Sequence, residues 1–159
     1  MIDPEKWAEQ MDKELRAEEE KNAAQGQVFL AKRKLLDEHT PLLFKLLTGT
    51  LTQLATAFNK RRGNALNVED EGGDQFAIRR SSDAGAALLS VQFQHLQNTI
   101  GVLITPGSWF QNYEAKVIPG SGEGIVRLSH QDPETGNKRI VEVDEIASVA
   151  LEELLKTTP

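Results

Sequence analysis

From about residue 75 onward the apolar residues of this chain recur at every second position, in six consecutive segments with no helical spacing between them. Phe76 and Ile78 alternate with polar neighbours, as do Leu89, Val91 and Phe93, then Ile100, Val102 and Ile104, then Tyr113, Ala115 and Val117, then Val126 and Leu128, and last Val141 and Val143. A period of two sends successive side chains to opposite faces of a strand, so each segment offers one apolar and one polar face. Turn-forming residues stand between the segments at Ser81–Gly85, Leu96–Asn98, Pro106–Ser108, Pro119–Gly124 and Asp132–Asn137. Strands joined in succession by short turns pair antiparallel, which predicts a six-stranded meander with one buried face. Ser90, Gln92, Gln94, Glu114, Lys116, Arg127 and Glu142 fall on the wet face.

The first 62 residues carry a different period. Asp3 followed by Pro4 starts a helix, the carboxylate accepting orphan N–H groups and proline occupying the first turn, where its missing donor costs nothing. Thr40 followed by Pro41 repeats that signature and predicts a second helix over 41–62, because proline disfavours the helical conformation of the residue before it. In that second helix Phe44, Leu47, Leu51, Leu54 and Phe58 recur at three and four residues, along one stripe. Lys60, Arg61, Arg62 and Gly63 close it with cations at the negative dipole end. Residues 64–74 read as a polar, glycine-containing linker. Asp144 is placed to cap a last helix over 145–156, with Ile146, Ala150 and Leu154 on one side. The predicted fold is therefore α+β: two N-terminal helices, a six-stranded antiparallel meander sheet with one apolar face, and a C-terminal helix packed on it. Residues 1–38 form a polar helical arm and residues 39–159 the α+β domain.

Composition narrows the class of function. A chain of 159 residues is long enough to bury a core without staples. It has no cysteine, so neither disulfides nor thiolate chemistry enter, and a reducing, cytoplasmic setting is expected. The first 21 residues are too charged to contain the apolar core of a signal peptide. The most apolar stretch, Leu42 to Phe58, is interrupted by Lys45, Gln53 and several threonines, so no membrane partner is expected. The net charge of −6 disfavours nucleic acid, since the cations at 32–34 and 60–62 are local and have no aromatics interleaved.

No catalytic or cofactor motif is present: the sequence contains no nucleophile elbow, phosphate-binding loop, dinucleotide fingerprint or paired metal-ligating histidines. Gly120-Ser121-Gly122-Glu123-Gly124 precedes a strand rather than a helix N-terminus, and reads as a hairpin loop. No cofactor is expected. Of the three histidines, His39 reads as a helix C-terminal residue, and His95 and His130 as lying at opposite ends of the sheet.

Two sets of residues remain as candidates. Trp7, Met11 and Leu15 form a stripe too narrow for a globular core yet adequate to seat one helix against a partner. It points to a non-catalytic interaction module that associates with itself or another protein through the arm. The alternative is a small-ligand site made by Arg79, Arg80, Trp109, Phe110 and His130 at one end of the sheet. There paired arginines would hold an anionic group, an aromatic ring would stack, and the histidine would add a pH-dependent donor. The plainer reading of that end is an aromatic plug over the core with two solvated arginines at its rim.

Overall fold

The computed structural model describes residues 1–82, 85–119 and 124–157; residues 120–123 of the glycine loop, and Asp83 in the first predicted turn, lie outside them. The architecture is α+β. A helix, α1 (Pro4–Arg62), precedes seven strands, β1 (Leu66–Asp70), β2 (Gln75–Ser82), β3 (Gly85–Gln94), β4 (Thr99–Thr105), β5 (Trp109–Ile118), β6 (Ile125–Gln131) and β7 (Lys138–Val141), and a closing helix, α2 (Val143–Lys156), follows them. The strands form one antiparallel sheet in chain order. The chain divides into two compact units, Met1–Leu35 and a second that begins at Leu36.

Three sequence expectations are corrected. The predicted break at Thr40–Pro41 does not occur, and α1 is continuous with Pro41 inside it. An internal proline removes the bond to the carbonyl of residue i−4 and costs about 3 kcal/mol. What outweighs that cost is burial: Thr40, Phe44, Leu47, Leu51 and Ala55 recur at four, three, four and four residues, and all are buried. Phe44 stacks on Phe93 at 5.8 Å between ring centroids, and Asp37 accepts a hydrogen bond from Asn98 Nδ2 at 3.0 Å. Thr40 is thus a core residue of one helix rather than the cap of a second.

The predicted linker over 64–74 contains a strand. Leu66 is buried, and β1 pairs with β2 from Leu66 opposite Arg80 to Asp70 opposite Phe76. The Asn59 side chain of α1 supplies ladder-like bonds at the edge, its Nδ2 donating to the Leu66 carbonyl at 2.7 Å and its Oδ1 accepting from the Leu66 N–H at 2.9 Å. Finally, α2 begins at Val143, with Glu142 at the N-cap position. Val143 is a buried helical residue rather than the end of a strand, and Asp144 sits in the first turn.

The sheet keeps the predicted alternation. Phe76, Ile78, Leu89, Val91, Phe93, Ile100, Val102, Ile104, Tyr113, Ala115, Val126, Leu128 and Val141 are buried on one face, under α2 and the second half of α1. In α2 the buried residues Val143, Ile146, Ala147, Ala150, Leu151 and Leu154 lie along one stripe. Among the described residues no helix is long and apolar enough to cross a membrane.

Candidate functional site

Strand alternation separates the five residues of the predicted ligand end. Ile78, Leu89, Ile104 and Trp109 share a row across β2 to β5, and Ile78, Leu89 and Ile104 are buried. Trp109 therefore faces inward, and so do Arg80 and His130, each an even number of residues from buried positions of its own strand. Arg79 and Phe110 are offset by one and face outward. Arg79 Nε donates to Glu69 Oε1 at 3.0 Å across β1 and β2. Phe110 lies over Gly101, where a β-carbon would meet its ring edge at 3.5 Å. Arg80 is engaged by the helix: its Nη1 donates to the carbonyls of Thr157 at 2.7 Å and Leu154 at 3.3 Å. A guanidinium there satisfies orphan carbonyls at the negative end of the α2 dipole.

Trp109 and His130 do come together. They line a cavity of about 170 Å³ with Gln111, Tyr113, Arg139, Val141, Glu145, Ile146 and Val149, between the inner face of β5 to β7 and the first turns of α2. His130 pairs with Tyr113 in one direction and Arg139 in the other, so the three share a row of the sheet. The Tyr113 and His130 rings are tilted by 44° with centroids 5.5 Å apart. Arg139 and Glu145 close a two-bond fork, Nη2 to Oε1 at 2.8 Å and Nη1 to Oε2 at 3.3 Å. The hydrogen bond from Arg139 holds the Glu145 carboxyl below its ordinary range. Burial, followed by the nearby Glu145 charge, pushes the Tyr113 phenol up to about 12, so it remains a neutral donor.

Sequence reasoning missed Gln111, Tyr113, Arg139 and Glu145 as members of this site. The signal was nonetheless present, because extending the period of two backward from Tyr113 puts Gln111 and Trp109 on the same face. Arg139 and Glu145 needed the β7–α2 corner, which the sequence reading placed two residues late. The histidines also fall differently from expectation. The rows of the sheet run Phe93, Ile100, Tyr113, His130, so His130 lies level with Phe93 rather than at the opposite end from His95. His95 instead pairs with Asp74 at 2.6 Å and packs edge-on against Phe93. His39 is inside α1 and lines a shallow apolar cavity of about 290 Å³ with Leu42, Leu43, Leu46, Ile125 and Val126. Among the described residues no three His, Asp or Glu side chains are grouped to hold a metal ion.

In the first unit, Asp3 caps α1 as predicted, with Oδ1 accepting from the Glu5 N–H at 3.0 Å. Trp7 is 59% exposed, Leu15 53%, Phe29 67% and Leu30 66%, while Met11 is half-buried. At roughly 100° per residue Phe29 falls in the middle of the stripe formed by Trp7, Met11 and Leu15, which is roughly 80° wide. Compared with models of known families, with curated proteins and with solved structures, the chain matches none.

Proposed function

We propose that this protein is an interaction module that self-associates through the N-terminal part of α1. The supporting observation is the exposure of large apolar side chains, Trp7, Leu15, Phe29 and Leu30, along a helical unit that buries almost none of its own side chains. The helix of this unit, residues 4–35, is roughly 50 Å long and cannot bury an apolar stripe against itself. A second copy is the favoured partner because the charge on this unit is polarised. Residues 1–24 carry eight carboxylates and four cations, whereas residues 25–35 carry three cations and no carboxylate. Two such helices side by side in opposite directions bring unlike segments together and set the Met11 turn of one near Phe29 of the other.

Sedimentation equilibrium of the full chain and of Trp7→Asp tests the reading. A concentration-dependent dimer is expected for the natural sequence, weakened at least tenfold by the buried charge. A monomer at every concentration, or a dimer indifferent to Trp7→Asp, counts against self-association through this stripe.

A further inference from the structure

We propose that the cavity under the first turns of α2, lined by Trp109, Gln111, Tyr113 and His130, binds a neutral, planar, single-ring molecule with a hydrogen-bonding edge. The inference is independent of self-association and rests on the second unit alone.

On β3 and β4 the inward positions from Ala87 to Phe93 and from Ile100 to Ile104 are apolar; on β5 they are Trp109, Gln111 and Tyr113, with His130 beside them on β6. Among the described residues, no hydrogen bond engages the Trp109 indole N–H, the Gln111 amide, the Tyr113 hydroxyl or the His130 ring. Tyr113 as a residue is only 5% exposed. Together with the half-buried Trp109, Gln111 and His130 it brings four polar groups to one cavity, a set of donors and acceptors that make no hydrogen bond to another described residue.

Size, charge and shape then narrow the class. A cavity of about 150 Å³ accepts a benzene ring, so the 170 Å³ here, open on one side to solvent, has room to seat one six-membered ring. The full charges on the wall, Arg139 and Glu145, are closed on each other at 2.8 and 3.3 Å. A charged ligand would have to open that fork, whereas a neutral one leaves it intact. Val141, Ile146, Val149 and the Trp109 ring provide apolar walls for the faces of a flat molecule. Gln111, Tyr113 and His130 are left to meet its edge, and the protonated Tyr113 hydroxyl serves as a donor.

Phenol is a suitable probe, with benzoate as the charged counterpart and cyclohexanol as the non-planar one. The chain has two tryptophans, so nitrogen-15 spectra contain two indole N–H signals, which Trp7→Phe assigns. Phenol is expected to shift the Trp109 signal saturably with roughly millimolar affinity, as suits so small a ligand. Benzoate and cyclohexanol should bind at least tenfold more weakly. Val149→Trp, at a partly exposed position on the rim, should fill the cavity and abolish the shift while thermal unfolding remains cooperative. Tyr113→Phe should weaken binding severalfold without removing the walls. No saturable shift with phenol, an undiminished shift in Val149→Trp, or benzoate binding as tightly as phenol would each overturn the proposal.

Discussion

Replacing Thr40 by valine should stabilise this protein, although it removes a polar group from a helix interior. Thr50, Thr52 and Thr56 each donate to the carbonyl four residues back at 2.8 Å. Thr40 is fully buried, and its Oγ1 has no hydrogen-bond partner among the described residues. Burying a hydroxyl without a partner costs about 1–3 kcal/mol in protein mutational data. Valine keeps the branched shape and a similar helix propensity while putting a methyl where the hydroxyl stood. Thr40→Val should therefore raise unfolding free energy by about 1–3 kcal/mol, or the melting temperature by roughly 2–4 °C for each kcal/mol gained. Thr40→Ser keeps the orphan hydroxyl and loses the methyl, so it should cost about 1 kcal/mol. Thr52→Val, which discards a satisfied bond at a half-buried site, should be neutral or destabilising. Urea and thermal unfolding of the three variants decide the matter. If Thr40→Val is neutral or destabilising, or if Thr52→Val gains as much, the orphan-hydroxyl argument fails.

Four further outcomes are expected. Tyr113 is the sole tyrosine, so phenolate absorbance in the folded protein should titrate near 12 against 10.0 in denaturant. Because the folded value is the raised one, the stability tied to Tyr113 is fully present below pH 10 and declines as pH rises toward 12, and Tyr113→Phe should remove that decline. The Glu145 carboxyl is held low by Arg139, so its contribution is present above the ordinary carboxylate range and disappears only as pH falls below it; the urea midpoints of the natural chain and Glu145→Gln should converge in acid. Asn59→Ala should unfasten β1, costing about 1–3 kcal/mol and speeding hydrogen exchange at Leu66 before the central strands. An equal mixture of Met11→Cys and Phe29→Cys chains should form a mixed disulfide on oxidation if the first units pair in opposite directions, whereas parallel pairing would give only like-with-like products.

The parts of this fold that were legible from sequence are those where a single local period sets the outcome. Leu89, Val91 and Phe93 alternate because one face of β3 is buried, and the same holds for β4 and β6, so the meander and its inner face followed from spacing alone. Where the sequence misled, a distant partner supplied what local chemistry denied. Thr40–Pro41 is a sound stop and start signal taken alone, and tertiary burial of Thr40, Phe44 and Leu47 carries the helix through it. Leu66 and Val68 alternate as a strand should, yet Glu69, Asp70, Glu71, Gly72 and Gly73 give the segment the composition of a linker. The side chain that secures its start, Asn59, lies seven residues away on α1.

The candidate sites divide along the same line. Strand phase sorts Arg80, Trp109 and His130 from Arg79 and Phe110, and phase is a local property that the sequence carried. What the sequence could not carry is register, which brings Tyr113 beside His130 and Arg139, and the position of α2, which sets Glu145 against Arg139. Register converts a row of alternate residues into a cavity wall, and it depends on how far each turn offsets its two strands. The stripe of Trp7, Met11 and Leu15 needed no such information. A helix face is fixed by 100° per residue from one end to the other, so the common face of Trp7, Met11 and Leu15 on α1 was legible where the cavity in the sheet was not.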